Sequence, residues 1–230
     1  MQFMSERHLS DNIAKVVQRV SRAAQKSQRD PADVMVLAVS KTRPANDIRT
    51  AAKLGLTQFG ENYLQEALDK ISQLDDLDLC WHFIGPIQSN KTRAIAERFH
   101  WVHSVDRLKI ARRLSDQRPE TLPPLQLCLQ VNISGEQSKS GLAPEALAEL
   151  ASDVMALPRL QLRGLMAIPA ATGRAEEQRE AFARLREAMA GLNLPQLDTL
   201  SMGMSQDLET AIAEGATIVR VGTDIFGPRG

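Results

Sequence analysis

Lys41 follows the apolar run VMVLAV at Val34 to Val39, and strand alternation puts it on the face of Met35, Leu37 and Val39. A lysine rising from such a face loses water around its ammonium, which favours the neutral amine. A neutral amine is a nucleophile for an aldehyde. On residue type alone, a strand-end lysine that snorkels to solvent explains the position as well, so the surroundings must decide. Toward the C-terminus, SMGMSQDLETAI places Ser201, Gly203 and Ser205 before a helix whose early acids, Asp207 and Glu209, suit an N-terminal turn. VGTDIFG adds loop amides at Gly222 and Thr223 together with the Thr223 hydroxyl. Each turn alone reads as a capped Ser/Gly turn; two in succession read as a cradle for a phosphate.

Arg220 lies inside the apolar run TIVRV on the face of Ile218 and Gly222, where a guanidinium requires a partner, either a structural carboxylate or a ligand. His82 alternates with Cys80 and Ile84 in CWHFI, and His103 precedes Ser104; a lone histidine on such a face is usually a satisfied core residue. Asn62 in GENY is placed either to meet a ligand oxygen or to cap the helix that follows, and capping is the more frequent use. Lys91 and Arg93 read as a solvated helix face, and Lys139 in SGEQSKSG as an exposed loop lysine.

These residues need a frame that gathers them. Eight β-like pieces alternate with helical stretches: Val34 to Val39, Thr57 to Phe59, Cys80 to Ile84, Trp101 to His103, Leu125 to Val131, Leu160 to Ile168, Asp198 to Leu200 and Thr217 to Val221. The helical stretches are Pro44 to Leu54, Asn62 to Leu74, Asn90 to Phe99, Val105 to Gln117, Pro144 to Met155, Glu176 to Gly191 and Asp207 to Glu214, with an amphipathic one from Leu9 to Ala24 ahead of the first strand. Parallel neighbours need crossovers, and this alternation predicts an α/β fold, a single-domain parallel (β/α)8 barrel over residues 1–230, entered through an N-terminal helix within 1–30. A doubly wound sheet would carry a glycine-rich first turn, whereas the turn here reads SKTRP. In a barrel, ligands meet the chain where strands end and helices begin. Ser40, Lys41, Glu61, Asn62, Gly85, Ser104, Asn132, Ser201, Gly203, Gly222 and Thr223 all fall at such ends.

Composition narrows the possible functions. With 28 Lys+Arg against 28 Asp+Glu in 230 residues there is no net field to draw nucleic acid or an anionic membrane, so a charged ligand needs a local site. No apolar run approaches the roughly 20 residues of a membrane span, and the N-terminus lacks the apolar segment of an export signal. Cys80 and Cys128 have no zinc-site spacing and read as reduced core thiols of a cytoplasmic protein. The 4% aromatic content offers no obvious large interface, and a monomer is expected.

Taken together, AVSKTRP, FGENYLQEALDK, WHFIGPIQSNKTR, VHSVDR, QVNISGEQSKSGL, RGLMAIP and SMGMSQDLETAIAEGATIVRVGTDIFGPR resemble the pyridoxal phosphate homeostasis proteins, over nearly the whole chain. The resemblance implies a barrel of the alanine-racemase N-terminal type that carries pyridoxal 5′-phosphate (PLP). The family's Schiff-base lysine falls on Lys41, its phosphate-binding positions on Ser205, Gly222 and Thr223 with Ser201 nearby, and the arginine facing the pyridine nitrogen on Arg220. Asn62 and His82 match positions near the cofactor. An always-charged arginine there disfavours protonation of the ring nitrogen and weakens PLP as an electron sink. The expectation is an intracellular carrier or buffer of vitamin B6 without efficient turnover, with PLP-dependent apoenzymes or other B6 enzymes as candidate partners. Lys139 is a candidate second lysine for transfer. The alternatives are a low-activity amino-acid racemase, a Schiff-base aldolase acting on sugar phosphates, and a regulatory scaffold with PLP as effector. Racemases of this type draw an opposing tyrosine from a further domain, which is not expected here, and the sole tyrosine, Tyr63, falls in the second helix.

Overall fold

Apolar runs too short for helices form eight parallel strands, and the amphipathic stretches between them form the crossovers. The strands are β1 (Met35–Val39), β2 (Gln58–Glu61), β3 (Cys80–Phe83), β4 (Trp101–Val105), β5 (Leu125–Gln130), β6 (Leu160–Met166), β7 (Thr199–Met204) and β8 (Ile218–Val221). Each pairs in parallel with the next, and β8 closes on β1 to complete the barrel, with Arg220 opposite Leu37. The helices used below are α1 (Glu6–Lys26), α2 (Ala45–Lys53), α3 (Leu64–Gln73), α4 (Thr92–Arg98), α5 (Leu108–Gln117), α6 (Leu147–Met155), α7 (Ala175–Gly191), α8 (Leu208–Ala213) and α9 (Thr223–Phe226). This computed structural model describes residues 6–135, 140–170 and 174–228; Lys139 and Arg229 lie outside the described residues. No helix among them is long and apolar enough to cross a membrane.

The barrel has two unlike packed regions. Between sheet and helices, outward-facing Ala38, Phe59, Trp81, Phe83, Val102 and Val219 join helix residues such as Ile48, Ile95 and Leu114 in one large apolar core. Inside, the apolar cluster is small: Leu37, Ile84 and Ile218, with Met35 and Val39 against it. Barrel interiors are ordinarily filled by branched aliphatic side chains. Here Arg220, Ser201, His82 and His103 take up interior volume while buried. Such a polar filling is costly unless every group is paired.

Several expected boundaries shift at functional turns, among them the second strand, which runs on from Phe59 to Glu61. The seventh strand does not stop at Leu200 but runs to Met204, so Ser201 and Gly203 belong to the strand. Apolar alternation fails there because the ladder shifts register between Ser201 and Met204, and Gly203 takes φ 91°, with a Cβ position 2.5 Å from Ala211 Cβ. The fourth strand likewise continues through Val105, and its helix starts only at Leu108. Ser104 is held there by donating its hydroxyl to the Gly85 carbonyl. Asn62 does not cap α3, which begins at Leu64 after Tyr63.

Candidate cofactor site

Lys41 stands at the C-terminal end of β1, half-buried, between two residues that are pinned from outside the barrel wall. Ser40 donates its hydroxyl to Glu61 Oε1 at 2.6 Å, and its carbonyl accepts from Lys70 Nζ at 2.8 Å. Thr42, at φ 65°, donates its amide to Glu66 Oε1 at 2.5 Å. Lys70 also bonds both carboxylates, Glu61 at 2.7 Å and Glu66 one helical turn away on α3. Burial pushes the Glu61 carboxyl above its ordinary range, with the Lys70 ammonium pulling the other way. The result is a buried polar clamp that fixes the backbone on either side of Lys41. Arg43 then ties the same turn to the last strand's loop by donating to the carbonyls of Gly227 and Pro228.

The β7 and β8 loops meet beside it. An added Cβ on Gly222 would lie 3.2 Å from the Val39 carbonyl oxygen, so this residue passes close against the end of β1, two positions before Lys41. The amides of Gly222 and Thr223 form no backbone hydrogen bonds among the described residues, and Thr223 is exposed. Asp224 donates its amide to Ser205 Oγ at 3.4 Å, linking the two loops. Arg19 of α1 supports both from below, donating to the Ser205 carbonyl at 2.8 Å and pairing with Glu209 and Asp224. Asp207, expected as a helix-start acid, stands at the N-cap of α8, and its side chain turns back to accept from the Met204 amide and from Gln178.

Arg220 makes no ion pair among the described residues. Its Nη1 donates to the Ser201 carbonyl at 2.6 Å and to Ser201 Oγ at 2.8 Å, and its Nη2 to the Ala167 carbonyl at 2.9 Å. All three acceptors are neutral, so the buried cation is hydrogen-bonded but not neutralised by a contacting carboxylate. Burial brings its pKa down to about 10, with Asp207 at longer range opposing the shift. It therefore stays charged at neutral pH.

Of the residues singled out in the sequence, Lys41, Asn62, Ser205, Gly222 and Thr223 fall at the C-terminal mouth. His82 and Ser201 lie deeper: both are fully buried, with the His82 ring nitrogens occupied by His103 and Gln58, and the Ser201 hydroxyl by His103 and Arg220. Both are linked to Arg220 by hydrogen bonds, Ser201 directly and His82 through His103 and Ser201. Sequence reasoning missed Arg19, Glu66 and Lys70, whose only signal was the Glu66–Lys70 spacing of four on a helix. It also missed Gln58, and left His103 with the same ambiguity as His82, the core reading being the more frequent one.

PLP, which the sequence resemblance implies, needs an amine for its aldehyde, donors for a phosphate dianion and a group opposite its ring nitrogen. Three observations fit it. Asn62 Oδ1 is buried with no hydrogen-bond partner, an amide end open to a ligand in either flip state. Gly222 leaves a close backbone approach that a side chain would obstruct. Arg220 is a buried cation met only by neutral acceptors.

Known proteins resemble the chain over nearly its whole length. The family described as alanine racemase, N-terminal domain, matches residues 9–230. A Pseudomonas aeruginosa protein named pyridoxal phosphate homeostasis protein is 66% identical over 221 residues, 96% of each chain. The protein of that name from Escherichia coli K12 is 52% identical over 226 residues, 96% of this chain and 97% of the relative. Among solved structures, PipY of Synechococcus elongatus with PLP bound is 41% identical, covers 95% of this chain and all of its own, and superposes with a TM-score of 0.82. The alanine racemase of Corynebacterium glutamicum, 17% identical, shares the fold at a TM-score of 0.67 over 96% of this chain and 61% of its own.

Proposed function

The chain belongs to the pyridoxal phosphate homeostasis protein family, on the alanine racemase N-terminal-domain fold, and from that premise we propose that it binds PLP as a Schiff base to Lys41 and serves as an intracellular carrier or buffer of the cofactor. The observation that carries this reading is the closure of β8 on β1, which brings Gly222 against Val39 and so sets the open amides of the β8 loop beside the turn that holds Lys41. Bound there, PLP supplies an electrophilic aldehyde that condenses with a primary amine with loss of one water. The protein's own part is to hold and limit it. The Ser40–Glu61–Lys70–Glu66 clamp keeps the lysine turn in place, and Ser205, Gly222 and Thr223 offer donors for the phosphate. Arg220 keeps a fixed positive charge inside the barrel, which opposes protonation of a ring nitrogen facing it and disfavours carbanion chemistry.

The names of the relatives point the same way, toward homeostasis rather than turnover. A low-activity racemase is the alternative. Exchange with apoenzymes, by contact or through a second lysine such as Lys139, and a monomeric, cytoplasmic protein complete the proposal.

The test is the visible absorption of the purified protein before and after borohydride, followed by mass mapping of the reduced lysine. A yellow protein whose label maps to Lys41 is the expected result. A protein that stays colourless and unlabelled after incubation with PLP overturns the reading. D- and L-alanine interconversion at about 1 per second or faster would replace the carrier by the racemase.

A further inference from the structure

The interior of the barrel contains a chain of hydrogen bonds that starts at Arg220. Arginine has no acceptor, so at 2.8 Å Arg220 Nη1 donates to Ser201 Oγ. Ser201 Oγ keeps its hydroxyl hydrogen, and donating it to His103 Nδ1, 2.8 Å away, makes Nδ1 the bare nitrogen. His103 accordingly carries its proton on Nε2 and donates to His82 Nδ1 at 2.9 Å. His82 in turn carries its proton on Nε2 and donates to Gln58 Oε1 at 2.9 Å, with Cys80 Sγ 3.5 Å from the same nitrogen. Of the two directions open to the chain, this one agrees with Gln58 Oε1 facing His82, whereas the reverse needs the flipped amide. All four side chains beyond Arg220 are paired.

We infer that His103 and His82 are positioning residues: through Ser201 they hold the Arg220 guanidinium in one orientation toward the ring nitrogen of the cofactor. The inference rests on the PLP reading above for what Arg220 faces, but not for the chain itself. Neutrality of both rings fits this arrangement, and the 2.9 Å contact between His82 Nδ1 and His103 Nε2 excludes a proton on both facing nitrogens at once. Burial enforces neutrality, holding His103 well below its ordinary range and His82 at about 3. The rings are further fixed by packing, His82 stacked on Trp101 at 5.5 Å and set edge-on to His103 at 5.1 Å. Gln58 cannot pass a proton on, so the chain stores an orientation and does not conduct. Arg220 uses both Nη1 hydrogens on Ser201 and one Nη2 hydrogen on Ala167, while the second Nη2 hydrogen and Nε–H make no hydrogen bond to a described residue.

The experiment has two stages. In the cofactor-free wild type, ¹⁵N spectra of the imidazoles should show both buried rings neutral with the proton on Nε2 from pH 5 to 8, on the order of the ordinary histidine range. A charged ring, or a proton on Nδ1 of either, overturns the chain. In the second stage, the protein is loaded with PLP labelled at the ring nitrogen. His103→Phe removes both bonds, whereas His103→Gln retains one acceptor and one donor. The Phe variant should move the ring-nitrogen resonance and weaken PLP retention about tenfold, and the Gln variant should restore both toward wild type. An identical resonance in all three proteins overturns the positioning role. If His103→Phe does not fold, Ser201→Ala cuts the same chain next to Arg220 and carries the same expectation. A wild type that takes up no PLP removes the cofactor reading and, with it, the target of Arg220, while the first-stage spectra still decide the chain.

Discussion

Arg19 Nη2 donates to the carbonyl oxygen of Ser205 at 2.8 Å across 186 positions of sequence, and the same guanidinium pairs with Glu209 and Asp224. The N-terminal helix thus acts as a strut under both loops that are proposed to meet the phosphate. Its planar fork suits three oxygens in a way that a lysine ammonium does not.

Removal of that strut should affect binding more than folding. The side chain of Arg19 is a third exposed, so its ion pairs are partly screened and Arg19→Ala should cost about 1 kcal/mol of stability. PLP retention should weaken about three- to tenfold, because the Ser205 and Asp224 loops lose their common tie. Arg19→Lys should recover the charge but not the binding. Denaturant unfolding and equilibrium dialysis of PLP separate the two effects, and unchanged retention in Arg19→Ala would remove α1 from the site.

The clamp beside Lys41 allows a sharper energetic prediction. Lys70 is buried against the fully buried Glu61, and Lys70→Met would leave that carboxylate without its cation. Breaking one side of a buried pair costs about 3–5 kcal/mol. The double variant Lys70→Met with Glu61→Gln should recover much of that loss, since the uncompensated charge is gone. Urea unfolding of the two single variants and the double checks the coupling; strictly additive losses would mean that the pair is not the stabilising unit. Lys41→Ala, by contrast, should abolish the borohydride-trapped adduct.

Much of the frame was legible because it depends on local pattern. The apolar run before Lys41, the SKTRP turn and the eight-fold alternation suffice to place the lysine at a strand end of a parallel barrel, as the structure has it. The two C-terminal turns were legible for the same reason, since Gly222 and Thr223 directly follow an apolar run. What could not be read was pairing across the barrel. Ser201 looks like a loop residue because Gly203 and the register shift hide the strand it belongs to. His82 and His103 are 21 positions apart and meet only when β3 and β4 lie side by side. Arg220 was expected to find a carboxylate or a ligand; no carboxylate contacts it among the described residues, and its protein contacts are carbonyls and a hydroxyl, which no residue count foretells. Arg19 and Lys70 are surface-type residues by composition, and only the closed barrel brings them beneath the mouth.

The buried histidines predict how stability depends on pH. Both have folded-state pKa values below the ordinary one, His82 at about 3 against 6.5, because burial disfavours the charged ring. Between those values the unfolded chain binds protons that the native state refuses, so stability is full above about pH 6.5 and falls as the pH drops toward 3. Each histidine contributes at most about 1.4 kcal/mol per pH unit in that window. The fall in urea-unfolding free energy from pH 6.5 to pH 4.5 should therefore be visibly smaller in His103→Gln than in wild type. Equal slopes would mean that His103 takes up a proton in the folded protein.

Thr223 separates binding from folding most cleanly. It is exposed, opens α9, and makes no side-chain hydrogen bond among the described residues, so its hydroxyl does little for the fold. Thr223→Val keeps the β-branched shape and removes only the donor. The melting temperature should stay within about 2 °C of wild type, as expected for a surface change outside the core. Loss of a hydrogen bond to a charged group is worth about 1.5–3 kcal/mol, which lowers PLP affinity by roughly one to two orders of magnitude. Thr223→Ser should restore most of the affinity because it returns the hydroxyl without the methyl. PLP titration of the three proteins decides the matter: equal affinities would take Thr223 out of the phosphate cradle and leave Ser205 and the Gly222 amide as its donors.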